Sequence, residues 1–238
     1  MTTLKGIINY EAAPLSEWEE FIGEEPSKGK LYEDALIYPE IKNFLSKMNA
    51  KNVTGIIADE GRLELFLSNN MPELDEINHL TLSGNFNKAA LANKTEANDK
   101  KVKVTVDLDD IKQGSQDAVV LNMVVSTLGS ADNIKKLLTS AGSLLKENGK
   151  LIIVTPHLGG DAMYHTYARI TPRADLKAGE SYKLKIRGID DIIEDMYTPS
   201  SFLGKILKEV GLTRLEPQMI QDKTKGNEAP FVMYQAFR

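Results

Sequence analysis

The chain has three histidines, His79, His157 and His165, and two of them lie in contexts suited to proton transfer. His157 directly follows the apolar run KLIIVTP, which places it at the carboxyl end of a strand, the edge where open α/β sheets hold their ligands. His165 sits in YHTY, between Tyr164 and Tyr167. An imidazole flanked by phenols can exchange a proton near neutral pH while the phenols hydrogen-bond a substrate oxygen. His157, His165, Tyr164 and Tyr167 are therefore the catalytic candidates, set against the plainer reading of histidines packed and satisfied beside an apolar wall. No metal is expected, because His157 with Asp161 or with His165 offers only scattered ligands and no cysteine completes a set.

These residues need elements to bring them together. Strand patterns at 52–58, 77–82, 102–106, 118–125 and 150–155 alternate with helical patterns at 61–69, 85–93 and 131–146, which predicts βαβ units and a mainly parallel sheet. The helix at 131–146 is capped by Ser130, lines one face with Ile134, Leu137, Leu138, Ala141, Leu144 and Leu145, and ends at Asn148-Gly149. Pro39 opens an earlier helix, since its missing N–H would be an orphan donor in a first turn, and Ile41, Phe44, Leu45 and Met48 follow to an end near Asn49. Residues 157–197 break the rhythm with alternating Tyr, Lys, Leu and Ile around an Ala-Gly turn, which suits an inserted antiparallel hairpin or flap. Thr198-Pro199 then starts a helix that runs to Gly211, and two strand-like runs joined by the polar loop QDKTKGNEA close the chain. The expected organisation is an arm at 1–38, with Ser16 and Glu19 spaced as a helix capping box, and an α/β domain at 39–238.

Bulk properties bound the function. A chain of 238 residues, 42% hydrophobic and 26% charged, suits one well-buried domain, and no apolar run approaches the roughly 20 residues of a membrane span. The start, MTTLKGIINYEAAPLSEWEE, lacks a secretory pattern, so a cytoplasmic location is expected. Zero cysteines exclude disulfides and thiolate chemistry. A net charge of −5 with mixed signs gives no basic field for nucleic acid, and KKVK at 100–103 and KLKIR at 183–187 read as solvated faces. The expected partner is a small molecule, with neither nucleic acid nor membrane, and with either self-association or a complex with an active paralogue left open.

The stretch NVTGIIADEGRLELFLS, residues 52–68, covers the first strand, a turn and the first helix of the α/β unit. Together with DAVVLNMVVSTLGSADNIKKLLTSAGSLLKENGKLIIVTPH, and TPSSFLGKILKEVGL followed by two strands, it resembles the class I, Rossmann-like methyltransferases that bind S-adenosylmethionine, over roughly residues 38–238. The resemblance implies a mostly parallel sheet whose last strand is antiparallel. It also implies a cofactor turn of the form D-x-G-x-G-x-G, in which Gly55 stands at the acid position, Ile57 and Asp59 at the first two glycines, and Gly61 at the one glycine that survives. The ribose-binding acid of the second strand falls on Thr81, the adenine-side acid on Asp107 or Asp109, and Asp117 opens the fourth strand. Tyr10, Trp18 and Tyr32 are the candidates for a substrate lid, as N-terminal arms form in small-molecule members, or else they cover one end of the core.

The substitutions carry a physical cost. Ile57 is β-branched and stiff where the turn wants the freedom of glycine. Asp59 would face the cofactor's own carboxylate, and like charges about 4 Å apart repel by about 4 kcal/mol at an effective dielectric of about 20, roughly a thousandfold in affinity. The leading expectation is thus an enzyme for a small, natural-product-like molecule that lacks standard S-adenosylmethionine binding and performs an isomerisation, cyclisation or elimination by orienting its substrate. The alternatives are an S-adenosylmethionine-dependent small-molecule methyltransferase with an atypical first motif, and a catalytically inactive partner subunit. The cofactor expectation is accordingly none or S-adenosylmethionine, held by Gly61, Asp59, Thr81, Asp107 and Asp109.

Overall fold

Strand β1 (Asn52–Ile57) alternates Val53 toward one hydrophobic cluster and Ile56 toward another, the pattern of a strand covered by helices on both sides. In the computed structural model it lies between β2 (Glu76–Thr81) and β4 (Gln116–Asn122), parallel to both. Strand β3 (Val102–Thr105) extends the parallel sheet beyond β2, and β5 (Leu145–Pro156) extends it beyond β4. Strand β10 (Glu228–Phe237) runs antiparallel to β5, and β9 (Arg214–Asp222) antiparallel to β10, giving a seven-stranded sheet in the order β3-β2-β1-β4-β5-β10-β9. The expected α/β architecture, mostly parallel with an antiparallel last strand, is the one observed. The structure describes residues 28–57, 61–81, 91, 94, 101–105, 107–158, 167–186, 192–223 and 228–237, and for 28–34, 57, 81, 167–169, 173, 184–186, 193, 214–216 and 228 it describes the backbone path alone.

Helices α1 (Lys28–Lys47) and α2 (Arg62–Asn70) cover one face of the sheet, burying Ile37, Tyr38, Ile41 and Leu45 from α1 and Leu63 and Leu67 from α2. Helices α3 (Ala131–Leu144) and α4 (Ser200–Glu209) cover the other with Ile134, Leu137, Leu138, Leu203 and Leu207. Ser130 caps α3 as expected, its Oγ accepting from the Asn133 N–H at 3.1 Å. A separate three-stranded antiparallel sheet, β6 (Tyr167–Arg169), β7 (Ser181–Ile186) and β8 (Ile192–Met196), occupies the insertion between β5 and α4.

The structure corrects the sequence reading at four places. Helix α1 begins eleven residues before Pro39 and carries the proline inside it. Proline removes the bond to the carbonyl four residues back, and here Pro39 and Ala35 are both exposed, so water can take that carbonyl. Strand β4 stops at Asn122 rather than running to 125, because Met123 turns into the left-handed region with φ 57° and a short 3₁₀ segment, Val125–Leu128, follows. The 131–146 helix stops at Leu144, and Leu145 already pairs with Gln116, so Asn148-Gly149 falls within the long β5, where its register against β4 shifts, rather than at a helix end. The Ala-Gly turn precedes β7 and the flap has three strands, with Gly179 at φ 80° where a Cβ would meet the Phe202 ring at 2.6 Å. The helix predicted at 85–93 lies almost wholly outside the described residues.

Candidate functional site

The chain order of the sheet reverses between β1 and β4: β1 leads outward through β2 to β3, and β4 leads the other way to β5. Ligands of open α/β sheets lie in the crevice outside the strands' carboxyl ends at such a switch point. The register puts the tips in one row, with Ile57 paired to Thr81 on one side and to Asn122 on the other, and Asn122 paired in turn to Val154. Five strand tips, from Asp107 just past β3 to His157 just past β5, span about 19 Å at the usual strand spacing.

Several predicted residues gather on this edge. Gly61 lies immediately before α2 with φ 78°, a left-handed conformation that glycine alone adopts without strain, and its carbonyl accepts from the Leu65 N–H at 3.1 Å. Thr81 ends β2. Asp107 caps a 3₁₀ turn, Leu108–Asp110, its Oδ1 accepting from the Asp109 N–H at 3.0 Å, while Asp109 itself is exposed. That turn is fastened from below by Thr105, whose hydroxyl donates to Asp110 Oδ2 at 2.6 Å. His157 is held at the tip of β5 by its N–H donating to the Pro230 carbonyl at 2.8 Å.

Other predicted residues go elsewhere. Asp117 lies at the opposite, amino edge of the sheet, where Oδ2 accepts from the Lys51 and Asn52 N–H groups at 2.9 Å each and Oδ1 accepts from Lys146 Nζ at 2.7 Å. Burial alone would raise that carboxyl, but Lys146 and the two backbone donors hold it below the ordinary range. It is a clamp between β1, β4 and β5, and it takes no part in the crevice. Asp59, Asp161, Tyr164, His165, Tyr10 and Trp18 lie outside the described residues, and Tyr167 and Tyr32 are placed by backbone only, at the start of β6 and on α1. Among the described residues no group of acidic and histidine side chains could hold a metal ion, and no helix is long and apolar enough to cross a membrane.

Sequence reasoning missed four features. Asn122, at the tip of β4, is 7% exposed and its side-chain Oδ1 has no hydrogen-bond partner. Met123 beside it holds φ 57°, a strained choice for a non-glycine residue that its N–H bond to the Val154 carbonyl, 3.0 Å, helps to enforce. Asp195 on β8 directs its carboxyl inward against Ser126 of the segment after β4 and Tyr182 of β7, and burial pushes it up to about 6 despite those two hydroxyls. Finally, His79 and Glu64 meet inside the core, Nδ1 to Oε2 3.1 Å, with side chains 0% and 1% exposed. His79 was visible in the sequence as a histidine, but nothing there linked it to α2.

No family profile matches the chain, and no curated protein is detectably similar to it in sequence. Solved structures are similar to it. The 1,6-didemethyltoxoflavin-N1-methyltransferase of Burkholderia thailandensis, with bound 1,6-didemethyltoxoflavin and S-adenosylhomocysteine, matches with a TM-score of 0.61 at 11% identity, over 95% of this chain and 91% of that one. An S-adenosylmethionine-dependent methyltransferase from Clostridium acetobutylicum matches at 0.60 and 13% identity, over 94% and 98% of the two chains. A protein from Pyrococcus horikoshii matches at 0.68 and 11% identity, over 92% and 98%. At such identities the likeness establishes the fold, and the chain has the class I, Rossmann-like methyltransferase fold. Two of these neighbours are methyltransferases, which fits the methyl-transfer alternative better than the leading expectation of isomerisation, cyclisation or elimination.

Proposed function

We propose that the chain binds S-adenosylmethionine across the tips of β1, β2, β3 and β4 and transfers its methyl group to a small molecule. The observation that carries this reading is the buried, unpartnered Asn122 Oδ1 at the switch point. An orphaned buried acceptor costs about 1–3 kcal/mol, and a donor from a ligand in the crevice removes that cost. The neighbouring residues fit the same group. Gly61 lets the backbone approach a ligand where α2 begins, Asp107 keeps carboxylate capacity beyond its bond to Asp109 for an adenine-side donor, and Thr81 offers a hydroxyl where the resemblance implies a ribose-binding acid. When bound, the cofactor supplies an electrophilic methyl group. The chain's own part is to hold the acceptor in line and to remove its proton, for which His157 at the tip of β5 is the proposed base. The charge balance of −5 suits a small-molecule acceptor better than a nucleic acid.

Calorimetric titration with S-adenosylmethionine tests the reading. Saturable one-to-one binding with a micromolar dissociation constant is expected, and Asp107→Ala is expected to weaken it about tenfold, the worth of one hydrogen bond. Absence of saturable binding overturns it.

A further inference from the structure

The Glu64–His79 pair sits where polarity is hardest to explain. Its neighbours on that face of the sheet are Val53, Leu63, Leu67 and Ile77, all in one apolar cluster and all at most 1% exposed. Taking a carboxylate and an imidazole out of water is costly, and a pair of well-packed apolar side chains of similar volume stabilises a core as well or better. The location of the pair indicates what the cost maintains. Glu64 lies in the first turn of α2, three residues after Gly61, and a carboxylate there also interacts favourably with the helix N-terminus. His79 lies two residues before the tip of β2, and the residue opposite it in β1 is Gly55, which leaves the α2-facing side of that strand pair open to the imidazole. The pair thus spans from β2 to the turn of helix that borders the switch-point crevice.

We propose that Glu64 and His79 are positioning residues whose buried contact ties the first turn of α2 to β2 and so fixes the Gly61 backbone beside the ligand. This rests on the reading of the crevice given above. It assigns to a pair built from α2 and β2 the task of setting the approach of the chain at Gly61. The Leu65 N–H to Gly61 carbonyl bond, 3.1 Å, reports directly on that backbone.

The test replaces both members with apolar side chains, Glu64→Met with His79→Leu, and reads three quantities. The melting temperature is expected to stay at or above that of the wild type. Hydrogen exchange at the Leu65 amide, measured without ligand, is expected to quicken at least tenfold, and the dissociation constant for S-adenosylhomocysteine to rise at least tenfold. Unchanged Leu65 exchange and unchanged affinity overturn the proposal and leave the pair a packing feature. Should the double variant not fold, Glu64→Gln decides the matter, because it keeps shape while removing charge. A several-fold loss of Leu65 protection supports positioning, and wild-type exchange contradicts it. If the wild type itself fails to bind the nucleoside, the reading of the crevice fails, while Leu65 exchange still tests the pair's hold on α2.

Discussion

The two edges of the central sheet solve the same problem in opposite ways. At the amino edge Asp117 is well satisfied, accepting from two backbone N–H groups and one ammonium, and so joins β1, β4 and β5. At the carboxyl edge the corresponding positions are left wanting. Asn122 has an unpartnered amide oxygen, and the half-buried Asp195 has its carboxyl pushed up to about 6. Satisfied groups stabilise a fold, whereas unsatisfied and strained ones cost it free energy and persist where something else uses them. On the function proposed above, one edge carries stability and the other carries ligand binding. It follows that substitution of a satisfied group such as Asp117 should cost stability without touching affinity, and removal of the unsatisfied Asn122 oxygen should do the reverse.

The largest effect should come from Asp117→Ala, which strips partners from two backbone donors and a lysine at once. A loss of about 4 kcal/mol in urea unfolding is expected, from charge-assisted bonds of about 1.5–3 kcal/mol each, with nucleoside affinity unchanged. Because the Asp117 carboxyl is held below its ordinary value in the folded state, its contribution is present above the unfolded value of 3.8 and is lost as pH falls through the folded one. The asparagine variant should therefore flatten the acid limb of the stability curve.

Asp195→Asn should act with the opposite sign. The folded carboxyl is raised from 3.8 to about 6, so the protonated form is favoured by folding, and its benefit, full below 3.8, is lost as pH rises through about 6. The amide variant should then be more stable than the wild type at pH 7.5, by up to about 3 kcal/mol, and equal to it below pH 4. A stability gain that does not depend on pH would remove Asp195 from the list of strained carboxyl-edge groups.

A smaller effect checks the converse case, a carboxyl-edge group that is satisfied. Ser130 caps α3, which follows β4 on that edge, and Ser130→Ala should cost about 1 kcal/mol in thermal unfolding with affinity intact. A loss of binding in this variant would blur the division between satisfied and unsatisfied groups.

Periodic features of the fold were readable from the sequence. The spacing of Ile134, Leu137, Leu138, Ala141 and Leu144 behind Ser130 marked α3 and its start, and the apolar run of β5 placed His157 at the ligand edge, because burial on one stripe or both faces writes itself into residue order. Backbone path left no such trace. Val124 and Val125 continue the apolar pattern of β4, so nothing in hydrophobicity shows that the chain turns at Met123 and ends the strand at Asn122. Pro39 carries the signature of a helix start, yet exposure of Ala35 lets the helix run through it. Of the candidate site, His157 was reachable from its place after the apolar run, and Gly61 and Asp107 through the resemblance. Asn122, Asp195 and the Glu64–His79 pair were not, because each depends on contacts between elements distant in sequence.

The central claim is that the unsatisfied carboxyl edge exists to bind a nucleoside cofactor, and Asn122→Leu tests it most directly. Calorimetric titration of the wild type and this variant with S-adenosylhomocysteine, alongside their melting temperatures, should show micromolar binding by the wild type. The variant should bind at least tenfold more weakly with no loss of thermal stability, since a buried acceptor without a partner has been removed. Equal affinity in the two proteins, or no saturable binding by the wild type, would contradict the account.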